Sequence, residues 1–126
     1  MKSDEIEILA KEIVDVAYQI HIELGPGLFE SVYEEVFCIE LTKRNINFRR
    51  QHSIDIFYKE HRIERAFKCD ILVEEQIIIE LKSVELIQKL HQKQLLNYLK
   101  LTGLSLGFLI NFNEVLIKNG IQRIAN

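Results

Sequence analysis

The chain begins with apolar residues at helical spacing, separated by charged and polar positions. This pattern predicts an amphipathic helix from about residue 4 to residue 24. Its apolar stripe consists of Ile6, Leu9, Ala10, Ile13, Ala17, Ile20 and Leu24. The sequence Gly25-Pro26-Gly27 follows. It ends the helix, because glycine suits a helix C-terminal cap and proline cannot continue the helix.

A second helix is predicted over residues 28–43. Its apolar stripe is expected to contain Val32, Val36 and Ile39. Larger apolar residues flank this stripe, so the helix is expected to be largely buried. The flanking residues are Tyr33, Phe37 and Leu41.

The pattern then changes to the alternation of polar and apolar residues that is typical of strands. Strands are predicted at 48–58, 63–73 and 77–84, with polar turns at 59–62 and 74–76. In the second strand, one face is expected to carry Phe67, Cys69, Ile71 and Val73. Helical spacing returns over 85–103. A buried strand at 104–112 and a last strand or hairpin arm at 115–124 follow.

The predicted order α-α-β-β-β-α-β-β belongs to the α/β class. We expect a central mixed sheet with helices on both faces, because the third strand is apolar on both of its faces. The chain contains no linker, repeat or low-complexity segment. Residues 1–126 are therefore predicted to form a single domain.

Composition and charge narrow the class of protein. The chain is 48% hydrophobic and 28% charged with one proline, as in globular domains. The net charge of −3 argues against nucleic-acid binding by bulk charge. Residues 1–40 carry two Lys and ten Asp or Glu, whereas residues 41–126 carry fourteen Lys or Arg and nine Asp or Glu. A basic surface is therefore available only in the second part.

The cysteines and the N-terminus predict a cytoplasmic protein. Cys38 and Cys69 are unclustered, which favours a reducing compartment. The N-terminus is acidic and amphipathic, unlike a signal or transit peptide. No apolar run approaches the ~18 residues of a membrane helix, so no membrane partner is expected.

The third strand, Ile77 to Val84, is apolar except for Glu80, Lys82 and Ser83. If Glu74, Glu75 and Gln76 form a three-residue loop, Val73 pairs with Ile77, and Asp70 lies opposite Glu80. A two-residue loop would instead place Asp70 and Glu80 on opposite faces.

In the first register, two carboxylates converge beside an amine. Opposed like charges destabilise a sheet, and a divalent cation such as Mg²⁺ removes that conflict. The plain alternative is a surface pair of Glu80 and Lys82, worth less than about 1 kcal/mol. The apolar flanks and the position of Asp70 add weight to the metal site, and both interpretations stay open.

Three short motifs carry a resemblance to a known family. Asp70 followed by Glu80-Leu81-Lys82 resembles the core motif of the PD-(D/E)xK nuclease superfamily, which has the restriction-endonuclease-like fold. Gly27-x-x-Glu30-x-x-Tyr33 resembles the signature of GxxExxY proteins, and Gln94-x-x-x-Tyr98 resembles the helix that follows the lysine in that family. Cys69 stands where the superfamily has its proline.

The resemblance implies a role for each matching residue. Asp70 and Glu80 would be catalytic metal ligands, with the backbone carbonyl of Leu81 as a third ligand and Lys82 as the catalytic lysine. Glu30 would be a further metal ligand. Alternatively, it is an acidic residue favoured by the helix dipole.

The Gln94-x-x-x-Tyr98 element would place Gln94 in the catalytic site and Tyr98 at its rim, and Tyr33 is also a candidate for the rim. The alternatives are a core glutamine bonded to backbone and two packing tyrosines. For His91 there are two alternatives, a residue at the rim of the site or an exposed residue of the helix.

The predicted function is hydrolysis of phosphodiester bonds in nucleic acid, DNA in preference to RNA, with Mg²⁺ or Mn²⁺. The chain is close to a bare nuclease core, so a homodimer or a partner chain is expected to complete the substrate groove. The candidates for contacts with phosphates are the basic residues Arg49, Arg50, Arg62, Arg65, Lys68, Lys89 and Lys93. The alternatives are a catalytically inactive nuclease-fold module that binds nucleic acid or protein, and a structural oligomer.

Overall fold

The computed structural model describes residues 1–126 and begins with two helices. The first helix, α1 (Ser3–Leu24), carries Asp4 and Glu5 in its first turn, where the helix dipole favours acidic side chains. It ends at Gly25, whose positive φ of 67° glycine adopts without steric cost. The second helix, α2, spans Glu30–Lys43. It begins two residues later than predicted because Phe29 is extended.

The remaining elements form a five-stranded mixed sheet. The strands are β1 (Phe48–Tyr58), β2 (His61–Val73), β3 (Ile77–Lys82), β4 (Leu106–Asn111) and β5 (Ile121–Ala125). They lie in sequence order, and every neighbouring pair is antiparallel except β3 and β4. A parallel pair needs a crossover connection, which helix α3 (Lys89–Thr102) supplies. The α/β class and the mixed sheet predicted from the sequence are confirmed.

The helices cover both faces of the sheet, as predicted. Helices α1 and α2 pack on one face in a cluster of 20 buried residues, which includes Ile71, Ile77 and Phe112. Helix α3 packs on the other face in a cluster of six buried residues, which includes Leu95 and Leu99. None of the three helices has the length and apolar character that crossing a membrane requires.

The face that α2 buries differs from the prediction. The buried residues of this helix are Tyr33, Phe37, Cys38 and Leu41. Val32 and Ile39 of the predicted stripe are 39% and 44% exposed. Tyr33 and Phe37 contact the ring of Phe112, so the aromatic line buries more apolar surface than the β-branched stripe would.

Three other boundaries are corrected. Helix α3 begins at Lys89 rather than 85, because Gln88 caps it and donates its N–H to Nδ1 of His91 (3.1 Å). Strand β3 ends at Lys82 rather than 84. The predicted strand over 115–124 is a short 3₁₀ turn, Ile117–Asn119, followed by β5.

Candidate active site

The loop between β2 and β3 has the length on which the predicted register depends. Val73 pairs with Ile77, and Ile71 pairs with Ile79. Glu74, Glu75 and Gln76 therefore form a three-residue loop. Glu74 and Glu75 both adopt a left-handed backbone, with φ of 51° and 59°. The register that brings residues 70 and 80 to the same level of the sheet is confirmed.

Strands β2 and β3 separate directly beyond this register. Their pairing ends at Ile71 and Ile79. At the next position, the carboxylate of Asp70 accepts a hydrogen bond from the N–H of Leu81, with 2.8 Å between Oδ2 and N. A side chain thus takes the place of a backbone partner and turns towards β3.

The alternation of β2 also changes at Asp70, which corrects the predicted face. Cys69 lies in the cluster under α3, and Phe67 stacks on Tyr98 of that helix. Ile71 and Val73 lie in the cluster under α1 and α2. The predicted common face of these four residues is wrong, because the strand changes its orientation where it leaves β3.

A polar pocket of about 200 Å³ lies where β2, β3 and α3 meet. Five residues predicted for the site line it: Asp70, Glu80, Lys82, Gln94 and Tyr98. The other lining residues are Lys68, His91, Leu95 and Leu109. The structure therefore brings together the carboxylates, the lysine and the glutamine–tyrosine pair.

The two carboxyl groups are in electrostatic conflict. The pKa of Glu80 is raised to about 9, first by burial, then by the negative charge of Asp70 and a hydrogen bond between the two carboxyl groups. Lys82 offsets only part of this increase. At neutral pH, without a further cation, the Glu80 carboxyl holds a proton that a second positive charge would displace.

Three polar side chains of α3 form one wall of the pocket, namely Tyr98, Gln94 and His91. The Tyr98 ring stacks on Phe67 with centroids 3.9 Å apart, and burial followed by the charge of Glu80 raises its pKa. Gln94 is exposed along this wall, so it is not a core glutamine. His91 is half-buried at the same wall.

Two predicted residues do not line the pocket. Tyr33 is fully buried, stacks on Phe112 at 4.4 Å, and uses its hydroxyl inside the α1–α2 loop. That hydroxyl donates to the carbonyl of Gly25 (2.6 Å) and accepts from the N–H of Leu28 (3.1 Å). Glu30 is the first residue of α2 and is exposed. Its assignment as a metal ligand stays a prediction.

Two residues near the carboxyl pair were not expected from the sequence. Gln51 of β1 donates from Nε2 to Asp70 Oδ1 (3.3 Å) and to Glu34 Oε1 of α2 (2.6 Å). In the sequence, Gln51 and Glu34 are ordinary polar residues of a strand and a helix. No periodic signal connects them, because the contact depends on a backbone irregularity at Gln51.

The donor set around the carboxyl pair fits a hard divalent cation. No three His, Cys, Asp or Glu side chains gather closely enough to hold a metal by themselves. The pocket does offer two carboxyl groups, and Mg²⁺ is commonly held by one or two carboxylates together with water and phosphate oxygens. The position of both carboxyl groups in one polar pocket is the observation that favours such an ion.

The fold and the site define a class of protein. A mixed sheet with helices on both faces is consistent with the restriction-endonuclease-like fold. A family model described as the PD-(D/E)XK nuclease superfamily matches residues 7–124. The chain belongs to this superfamily, whose nucleases generally use divalent metal ions and act on nucleic acid. No curated protein and no solved structure shows significant similarity to the chain.

Proposed function

We propose that this protein is a metal-dependent nuclease that hydrolyses phosphodiester bonds in the pocket between β2, β3 and α3. One observation carries the proposal: Asp70, Glu80 and Lys82 line the same polar pocket. Membership of the nuclease superfamily supports the same activity.

Asp70 and Glu80 would hold the Mg²⁺ or Mn²⁺ ion. The backbone of Leu81 supports a third oxygen ligand. The carbonyl of Lys82 accepts from Phe112 on the β4 side, and neighbouring residues of a strand direct their backbone groups to opposite sides. The Leu81 carbonyl is therefore expected on the side of its own N–H, where Asp70 replaces the missing strand. Glu30 remains a further proposed ligand.

The bound cation would supply a more acidic water and positive charge for the phosphoryl oxygens. Lys82 lines the same pocket and makes no ion pair with any acidic side chain within 4.0 Å. Its ammonium group is free to donate to the attacking water or to a phosphate oxygen. Gln94 would orient the substrate, and Tyr98 would form the rim of the pocket.

We extend the proposal to substrate and context. The superfamily and the resemblance to restriction endonucleases support DNA in preference to RNA. The Gly27-x-x-Glu30-x-x-Tyr33 motif supports a place among GxxExxY proteins. A homodimer or partner chain would complete the groove, and the two unclustered cysteines support a cytoplasmic location. Light scattering tests the dimer.

The test is a nuclease assay on single- and double-stranded DNA and RNA with Mn²⁺ and with Mg²⁺. Lys82→Ala is expected to lower cleavage at least ~100-fold, because removing one stabilising charge at a reaction centre typically costs this much. Lys100→Ala is the matched control, since Lys100 is an exposed lysine of α3 outside the pocket. Cleavage that is equal in the Lys82 variant would contradict the proposal.

Metal binding separates the nuclease from an inactive module. Calorimetry with Mn²⁺ is expected to detect binding that Asp70→Asn removes. Protein that binds no Mn²⁺ at millimolar concentration, or binds it equally after Asp70→Asn, would support the module instead.

A further inference from the structure

The carboxylate of Asp70 is held at both of its oxygens. Oδ2 accepts from the N–H of Leu81 at 2.8 Å, and Oδ1 accepts from Nε2 of Gln51 at 3.3 Å. The first contact follows from the separation of β2 and β3. The second comes from strand β1, on the opposite side of β2.

Gln51 reaches Asp70 through an unusual backbone conformation. Arg50 pairs with Ile71 and His52 pairs with Cys69, so Gln51 lies opposite Asp70. Its φ is 49°, in the left-handed region that a glutamine rarely adopts. Backbone strain of this kind persists where the surrounding structure requires it.

The amide of Gln51 is itself held from α2. Its NH₂ group has two hydrogens, and Nε2 also donates to Glu34 Oε1 at 2.6 Å. Only the NH₂ end can donate to two carboxylates, which determines the orientation of the amide. Glu34 Oε2 in turn accepts from Arg50 Nε at 2.7 Å, and the Glu34 side chain is only 12% exposed.

We propose that Gln51 is a positioning residue, which holds the Asp70 carboxylate in the orientation that binds the cation. Glu34 acts through Gln51. This inference rests on the proposed nuclease function, since it requires Asp70 to be a metal ligand. Partners that orient a metal ligand in this way commonly contribute 10- to 100-fold to metal affinity.

The decisive variant is Gln51→Gly. Glycine adopts a positive φ without strain, so if the left-handed backbone were the only requirement at this position, the replacement would leave metal affinity unchanged. Our inference predicts a folded protein that binds Mn²⁺ about 10-fold more weakly by calorimetry without nucleic acid. Gln51→Asn is the second variant, because asparagine tolerates this backbone but its shorter side chain does not span both carboxylates. It is also expected to bind Mn²⁺ more weakly.

Lys59→Gly is the matched control. Lys59 also has a left-handed backbone, with φ of 56°, and lies in the exposed turn between β1 and β2. This variant relieves the same strain far from Asp70 along the hairpin, so Mn²⁺ affinity is expected to stay unchanged.

The role of Glu34 is tested by a double-mutant cycle. Glu34→Ala is expected to weaken Mn²⁺ binding in the parent protein but not in the Gln51→Gly background. If the two substitutions lowered Mn²⁺ affinity additively, Glu34 would not act through Gln51, and this part of the inference would be wrong.

The outcomes distinguish this inference from the proposed function. If the parent protein binds Mn²⁺ and both Gln51 variants bind it equally well, the positioning role is wrong and the nuclease proposal stands. If the parent protein binds no Mn²⁺, both are wrong.

Discussion

The two faces of the sheet are built for different purposes. The face under α1 and α2 buries 20 residues, among them the aromatic group of Tyr33, Phe37 and Phe112. The face under α3 buries only six residues, beside a pocket that contains two carboxyl groups and two lysines. The candidate site therefore occupies space that would otherwise be core.

This difference implies a division of stability and function. Burial of apolar surface on the first face is the main favourable contribution to folding. The second face contains Glu80, whose burial beside Asp70 is unfavourable in the charged form. Substitutions on the first face should therefore affect stability most, and polar substitutions on the second face should change function and even increase stability.

The largest expected effect on stability is that of Phe112→Ala. Phe112 is fully buried and contacts both Tyr33 and Phe37. Its truncation is expected to lower the free energy of unfolding by about 3–5 kcal/mol, measured by urea denaturation. Leu99→Ala, in the smaller cluster, is expected to cost about 2–3 kcal/mol. A larger cost for Leu99→Ala would contradict the comparison.

The exposed Phe57→Ala is the control for side-chain size. Phe57 is 65% exposed at the end of β1, so its truncation should change the free energy of unfolding by less than about 0.5 kcal/mol.

The second prediction concerns the pH dependence of stability in metal-free protein. The pKa of Glu80 is about 9 when folded and near 4.5 as a free side chain. The folded state therefore holds a proton that the unfolded state releases across this range. Stability from this group is complete below pH 4.5 and is lost as the pH rises towards 9.

Glu80→Gln should remove this slope, measured as urea midpoints from pH 5 to pH 9 in EDTA. At pH 8 the variant is expected to be several kcal/mol more stable than the parent, because a pKa raised from 4.5 to about 9 costs the parent about 1.4 kcal/mol for each pH unit in between. The control is Glu64→Gln, whose side chain is 71% exposed. An unchanged slope in Glu80→Gln would show that burial of Glu80 has no energetic consequence.

Other shifted groups act outside this window. The lowered pKa values of Glu7 and Asp55, each caused first by a hydrogen bond, affect stability only in acid. Burial raises the pKa of Cys38 to about 11 and that of Cys69 to about 12, so both act above pH 9. Between pH 5 and pH 9, Glu80 is therefore the group whose shifted pKa changes the free energy of unfolding.

Much of this organisation follows from local sequence pattern. Alternation and turn composition predict three consecutive strands. The three polar residues 74–76 predict the register that places Asp70 level with Glu80. These features depend on neighbours in the chain, so periodicity is informative about them.

The errors occur where tertiary contacts decide. The buried face of α2 follows the ring of Phe112, nearly 80 residues away in sequence, rather than the β-branched stripe. The contact of Gln51 with Asp70 depends on a left-handed residue inside a strand. Periodicity assumes a regular backbone, so it cannot predict a residue whose role comes from breaking that regularity.

The smallest expected effect concerns Tyr33, which belongs to the first face although its motif suggested the site. Gly27 has a φ of 95°, and the Tyr33 hydroxyl bonds to Gly25 and Leu28, so both motif residues stabilise the α1–α2 loop. Tyr33→Phe keeps the stack on Phe112 and removes only these hydrogen bonds. The free energy of unfolding is expected to fall by about 1–2 kcal/mol, measured by urea denaturation, while Mn²⁺ affinity measured by calorimetry stays unchanged. Tyr98→Phe, on the pocket wall, is the matched control and should show the opposite: little loss of stability and a change in cleavage. Weaker Mn²⁺ binding after Tyr33→Phe would mean that the loop motif and the site are coupled, and that the two faces are not independent.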